Sequence, residues 1–146
     1  MSLGWRVAAR TACIAIALAL GWLGYMVGVL LTMYDGIPVL FVQALTAVLF
    51  SGVSVALALA AGLVLRVPAL WHFWNSSRAW AISILAASVG LLTLGYPLGL
   101  RFTATNPDTG SELVMLHPAA AVCGYFGLLF AVANFPVLRV SDEPAA

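Results

Sequence analysis

The 146 residues are 64% hydrophobic and 8% charged, and the mean hydropathy of +1.09 lies far above that of soluble proteins. This composition indicates an all-α integral membrane protein, since continuous apolar runs cross bilayers as helices. All six basic residues are arginine, which excludes lysine Schiff-base chemistry and a Walker-type phosphate loop. The formal net charge of +1, without a basic run, argues against nucleic acid as a partner.

Four apolar stretches predict four transmembrane helices, arranged as two αα-hairpins in a single domain, residues 1–146. They cover residues 11–33, 38–65, 79–100 and 118–138, followed by a short tail, residues 139–146. At ~1.5 Å rise per residue each stretch can cross a hydrocarbon core of ~30 Å, and the second is long enough to tilt. We interpret the first as a retained span and not a cleaved signal peptide, because its apolar run continues to Met33.

The arginines predict the orientation of these spans. In a four-span topology Arg101 falls on the outer side and the other five arginines fall on the inner side. Four tryptophans, Trp5, Trp71, Trp74 and Trp80, fall at the same inner boundary, where an indole buries its ring and keeps its N–H hydrated. We therefore expect both termini in the cytoplasm, and the lysine-free composition with short loops favours a bacterial inner membrane.

The two longer loops differ in character. The inner loop, residues 66–78, is rich in aromatic residues and is expected to lie along the lipid headgroups. The outer loop, residues 101–117, has turn-forming residues at 106–110 between two short segments that favour strands. It predicts a short β-hairpin on the outer face.

The two halves of the sequence resemble each other. Residues 24–32 and 95–103 share the pattern Gly-Tyr-x-x-Gly-x-x-x-Thr, and after the outer loop Pro38 aligns with Pro118. A duplication would relate the two helical hairpins by a pseudo-two-fold axis along the membrane normal. The alternative is a chance similarity between helices rich in Leu, Ala and Gly.

Small residues spaced four apart predict close approach of helix backbones. Such pairs are Gly24/Gly28, Gly95/Gly99 and Cys123/Gly127. The alternative interpretation is a ligand groove floored by glycines and edged by tyrosines. The candidate residues for packing or for such a groove are Gly24, Tyr25, Gly28, Gly95, Tyr96, Gly99 and Gly127.

Polar residues give two further candidate groups. Gln43 and Asn134 cannot satisfy their amide groups within one helix, so each is expected to face the bundle or a partner. At the outer surface a polar rim is expected, as a solvated or docking face. Its members are Asp35, Arg101, Glu112 and His117.

The sequence contains no recognisable catalytic, metal or cofactor site. The five carboxylates fall outside the predicted spans, which argues against an ion-coupled pump. Cys13 and Cys123 are expected at opposite membrane faces, too far apart for a disulfide. His72 and His117 are likewise expected ~30 Å apart, which excludes a bis-histidine haem within one chain. We therefore expect no cofactor.

The leading functional hypothesis is a non-enzymatic accessory or scaffold subunit that packs in the bilayer against other membrane proteins or against itself as an oligomer. One alternative is a homo-oligomeric passive channel or facilitator for a small neutral or weakly polar solute, lined by Tyr25, Gln43, Tyr96 and Asn134. Another is a pigment- or haem-associated subunit that uses His72 or His117 together with a partner chain.

Overall fold

The structure, a computed structural model, describes residues 3–32, 37–105, 110 and 112–136. The described chain is mostly helical, as predicted, and contains one antiparallel β-hairpin. The elements in chain order are α1 (Leu3–Thr32), α2 (Ile37–Gly62), a 3₁₀ turn (Leu63–Arg66), α3 (Pro68–Ser76), α4 (Ala79–Leu94), β1 (Arg101–Thr105), β2 (Glu112–Leu116) and α5 (Pro118–Ala133).

The helices differ in their capacity to cross a membrane. Helix α1 has 30 residues and α2 has 26, and both are apolar enough to span a bilayer. Helices α3 and α4 qualify only as a joined pair, which is bent by 78°, and α5 is a shorter apolar helix of 16 residues. The described residues thus contain two apolar helices long enough to span, or three if the bent pair forms one span.

The second half departs from the expected spans at the end of α4. The stretch expected to be helical over 79–100 ends as a helix at Leu94, and residues 95–99 form turns. Pro97 explains this end, because proline removes a helical N–H donor and disfavours helical geometry at the residue before it, Tyr96. The last stretch, expected over 118–138, is helical from Pro118 to Ala133.

The predicted inner loop forms the short helix α3. Pro68 stands in its first turn, where the missing N–H leaves no hydrogen bond unmade. Trp74 is buried, whereas Trp71 and Phe73 are about half exposed, so the helix buries one of these three aromatic side chains and leaves two partly open. A helix at 78° to its successor is compatible with the expected course of this segment along the headgroups.

Helix α5 is the element through which the other long helices pack together. It packs against α1, α2 and α4, while α1 and α2 also pack against each other and α4 has its principal contact with α5. The core at the meeting of α1, α2 and α5 consists mostly of small side chains, namely Ala17, Val55, Ala58, Leu129 and Ala133. Small side chains allow helix backbones to approach closely, which is how helices associate in lipid.

The β-hairpin confirms the prediction for the outer loop. Its antiparallel register runs from Arg101 opposite Leu116 to Thr105 opposite Glu112. The turn from α4 into β1 contains Gly99 at φ +93°, a conformation that side chains with a Cβ rarely adopt. Gly95 and Gly99, expected to pack helices together, thus belong to the end of α4 and to this turn.

Candidate functional site

A hydrogen bond between aromatic and amide side chains links α1 to α2. The Tyr25 hydroxyl donates to Oε1 of Gln43 at 2.8 Å, and both residues are partly buried. The Tyr25 ring also lies 5.0 Å from Phe50, which lies 5.9 Å from Tyr125 on α5, centroid to centroid. The Gln43 side chain therefore faces the bundle, and three aromatic rings connect three helices beside it.

Helix α1 approaches α2 and α5 closely at two glycines. A Cβ at Gly24 would lie 3.0 Å from the Tyr125 ring, and one at Gly21 would lie 2.6 Å from Oγ of Ser51. The hydroxyl of Ser51 donates to the Leu18 carbonyl at 2.6 Å, and the hydroxyl of Tyr125 donates to the Gly21 carbonyl at 3.1 Å. These hydroxyls bond across helices to backbone that the glycines leave accessible. A Cβ at Gly28, in contrast, would meet nothing within 4 Å.

Helix α5 approaches α4 at two further glycines. A Cβ at Gly124 would lie 2.7 Å from the Leu92 side chain, and one at Gly127 would overlap the Ser88 hydroxyl. Gly127 thus lies at a helix–helix contact, whereas Cys123, the other residue of its four-residue spacing, is exposed.

Asn134 lies where three elements meet. Its side-chain amide donates to the Ala58 carbonyl at 2.9 Å and to the Phe130 carbonyl at 3.1 Å. Its backbone carbonyl accepts a 2.9 Å hydrogen bond from the Trp74 indole, which attaches α3 to the end of α5. The amide lies against Gly62, where any side chain would overlap it. Asn134 therefore faces the bundle, as Gln43 does.

A cavity of about 310 Å³ opens next to Asn134, and we call it the arginine-end cavity. Arg10 of α1 and Arg66 of the 3₁₀ turn line it together with apolar residues such as Ile14 and Leu59. Both arginines are exposed. Two cations beside apolar side chains form an amphipathic site, suited to an amphipathic anion.

The predicted rim is only partly within the described residues. The Arg101 guanidinium lies 4.8 Å from the Tyr96 ring centroid, and its Nε donates to the Tyr96 carbonyl at 3.1 Å. Nδ1 of His117 accepts from the amide of the second residue after it at 3.3 Å, which caps α5. Glu112 pairs in the hairpin, and Asp35 lies outside the described residues.

The two tyrosines of the apparent repeat have different surroundings. Tyr25 lies within α1 and bonds to Gln43, while Tyr96 lies beyond α4 beneath Arg101. No described group of three or more His, Cys, Asp or Glu residues could hold a metal ion. His72 belongs to α3 and His117 precedes α5, in separate parts of the structure.

A face of α4 that the sequence reasoning missed carries only small residues. Ser88 and Leu92 point at α5, and at 3.6 residues per turn the opposite side bears positions 79, 83, 86, 90 and 93. We call this the small-residue face of α4: Ala79, Ser83, Ala86, Gly90 and Thr93. No described atom lies within 4 Å of the place where a Cβ at Gly90 would be. The regular spacing of these small residues was the available signal in the sequence.

Taken together, these contacts define a helical protein with apolar helices long enough to cross a membrane, in which Tyr25, Gln43 and Asn134 make hydrogen bonds between helices. Comparison of the chain with protein-family models, curated proteins and solved structures finds no match.

Proposed function

We propose that this protein is a non-enzymatic scaffold or accessory subunit, which binds a transmembrane helix of another membrane protein through the small-residue face of α4. The observation that carries the proposal is the position of α4, which packs mainly on α5 and turns that face away from the bundle. Small side chains at this spacing allow a second helix to approach closely and gain van der Waals contact.

The chemistry of the face indicates an apolar partner helix. It carries no charge, and the Thr93 hydroxyl is occupied by a 2.8 Å hydrogen bond to the Val89 carbonyl of its own helix. Ser83 is exposed and makes no hydrogen bond within the described residues, so its hydroxyl is available to a carbonyl or a side chain across an interface. A helix that also carries small residues at the contact fits this surface best.

The polar contacts favour the scaffold over a passive channel. The candidate lining residues Tyr25 and Gln43 bond to each other, and the Asn134 amide bonds to α2 and α5. Every buried side-chain N or O atom in the described residues has a hydrogen-bond partner. A water-filled path would instead need such groups turned toward the path.

The remaining features of the proposal concern the membrane. We propose four membrane crossings, with α3 along the inner surface, α4 as the third crossing and α5 as the fourth. The bacterial inner membrane is the proposed location, with both termini in the cytoplasm, because the arginines gather on one side of this topology.

Site-specific cross-linking in native membranes tests the interface. Single cysteines replace Ser83 or Ala86 on the small-residue face, in a chain where Cys13 and Cys123 are alanine. Matched controls at Ile82 and Val89 are exposed on the flanks of the same helix. We expect S83C and A86C to cross-link to a second polypeptide with a bifunctional thiol–photoreactive reagent, and I82C and V89C to do so at least about fivefold less, since reach across a packed interface is short.

Native mass spectrometry of gently extracted protein identifies the occupant. Masses that include another polypeptide, lost in Gly90→Leu but kept in Gly52→Leu, would support the proposal, because a Cβ at either glycine has no described atom of the chain within 4 Å. If all masses were multiples of 15.3 kDa, the result would instead indicate that the protein associates with copies of itself. A monomer together with equal cross-linking from all four positions would contradict it.

A further inference from the structure

The arginine-end cavity combines two kinds of surface in one small space. Its volume of about 310 Å³ lies at the lower end of the range for small-molecule sites, about 300–1,000 Å³. Ile14, Leu59 and Leu63 supply apolar walls, and Arg10, Arg66 and Asn134 supply polar ones. A volume of this size accommodates the polar part of a lipid, with acyl chains left to lie along the exposed apolar surface outside it.

The two guanidiniums carry charge that the described residues do not neutralise. Neither Arg10 nor Arg66 makes an ion pair or a hydrogen bond within the described part of the chain. The described carboxylate, Glu112, belongs to the hairpin that follows α4, in a different part of the molecule. Guanidinium groups present paired N–H donors that match phosphate oxygens, so two of them together favour a phosphate-bearing anion.

The wall next to the arginines is held in place by the fold. The Asn134 side chain is fixed by its two hydrogen bonds to backbone carbonyls, of Ala58 and Phe130, and it fills the space that Gly62 leaves. Trp74, on the neighbouring helix α3, is tied to the Asn134 carbonyl, and the exposed Trp71 lies on the same short helix. Tryptophans in membrane proteins collect at the depth of lipid headgroups.

We propose that the arginine-end cavity binds the phosphodiester headgroup of an anionic glycerophospholipid. Arg10 and Arg66 contact the phosphate from two different helical segments, α1 and the 3₁₀ turn after α2. Ile14 and Leu63 contact the upper part of the acyl chains. Basic pockets between membrane helices recognise anionic headgroups by this combination of charge and apolar surface. The bound lipid thereby connects α1 to α2 at the end remote from the β-hairpin.

A lipid titration of the purified full chain in detergent tests this site. Phosphatidylglycerol and phosphatidylcholine with identical acyl chains are added, and bound lipid is counted by native mass spectrometry. We expect phosphatidylglycerol to be retained in preference to phosphatidylcholine. The double variant R10Q/R66Q should lower the affinity for phosphatidylglycerol about 25-fold, or about fivefold for each basic side chain near an anionic group. Far-UV circular dichroism checks that each variant is folded.

Matched variants separate this site from general surface charge. R6Q/R78Q removes the same charge from arginines that do not line the cavity, and should leave the affinity within about twofold of the original. R10K/R66K keeps the charge but loses the paired donors, so its affinity should lie between those of the original chain and of R10Q/R66Q.

Three results would overturn the proposal. Equal losses in R6Q/R78Q and R10Q/R66Q would assign lipid binding to diffuse charge. Displacement of the lipid by an equal concentration of inorganic phosphate would assign the cavity to a soluble anion. An affinity for phosphatidylglycerol that R10Q/R66Q leaves unchanged would show that the two guanidiniums do not bind the lipid.

Discussion

Individual glycines determine where the helices of this protein meet. Gly24 faces the Tyr125 ring, Gly62 faces the Asn134 amide, and Gly127 faces the Ser88 hydroxyl, whereas Gly52 and Gly90 have open space where a Cβ would be. The sequence alone does not distinguish the glycines at contacts from those with open space. Their neighbours depend on how whole helices are rotated about their axes, and in spans that are apolar on every side the hydrophobic pattern does not define that rotation.

Gly62→Ala and Gly52→Ala form a matched pair within α2. The added methyl at position 62 must displace the Asn134 amide and break its hydrogen bond to Ala58, so we expect the free energy of unfolding to fall by about 1–3 kcal/mol. At position 52 the methyl meets nothing within 4 Å, and we expect no loss, or a gain of up to about 1 kcal/mol from helix propensity. Unfolding in mixed detergent micelles, followed by circular dichroism, measures both. Equal losses would contradict the described contact of Gly62 with Asn134.

The two halves of the apparent repeat differ at the residues that they share. Its best support is the shared Gly-Tyr pattern, but Tyr25 bonds to Gln43 inside the bundle and Tyr96 stacks under Arg101 beyond the end of α4. The same residue types thus belong to different local structures in the two halves of the chain. Pro97 distinguishes them, since the corresponding position in the first half is Met26, which continues the helix.

At the scale of elements, the sequence predicts the β-hairpin well and the ends of the helices poorly. The strands Arg101–Thr105 and Glu112–Leu116 follow from local turn chemistry, which acts over a few residues. The end of α4 at Leu94 depends on competition between a continuing apolar run and Pro97, and hydropathy alone does not register that competition. Hydropathy also does not indicate the bend between α3 and α4.

Gly99→Ala should open the junction between α4 and the hairpin. At φ +93° an added Cβ costs about 1–2 kcal/mol, because this region of backbone conformation is unfavourable for residues other than glycine. The amide of His117, which donates to the Leu100 carbonyl, should then exchange its hydrogen about 5–30 times faster.

Gly110→Asn serves as the control for this change. Its φ of +66° lies in the left-handed helical region that asparagine tolerates, so exchange at the His117 amide should stay within about twofold of the original. If both variants accelerated exchange equally, the special role of Gly99 in this turn would be refuted.

At the scale of the whole molecule, α5 is the organising helix. It contacts α1, α2 and α4, so the two helical hairpins meet through one element of the second hairpin. The composition predicts a membrane protein, and the need to satisfy their amide groups predicts that Gln43 and Asn134 face the bundle, where each side chain hydrogen-bonds to a neighbouring helix. Which helix would lie at the centre could not be predicted, because α2, α4 and α5 are nearly equal in apolar character along their lengths.

The proposed topology predicts opposite accessibility for the two ends of α4. Gly110→Cys in the hairpin region should react with a membrane-impermeant maleimide in intact cells, since we place the hairpin on the outer side. Ser76→Cys, at the end of α3, should react only after the membrane is permeabilised. Both positions are exposed in the structure, so burial does not confound the comparison, and Cys13 and Cys123 are replaced by alanine in both variants. Labelling of both from the same side would contradict the proposal that α4 crosses the membrane.

The central place of α5 has a consequence for biosynthesis. The contacts that tie α4 to α1 and α2 run mainly through a helix that leaves the ribosome after all three of them. Before residues 118–133 are made, α1 and α2 can pair through Tyr25 and Gln43. Helix α4 then lacks α5, the helix against which it mainly packs. In the proposed topology, translation that stalls before Pro118 would therefore leave a paired N-terminal hairpin and a solitary helix in the lipid, which would be a substrate for membrane quality control.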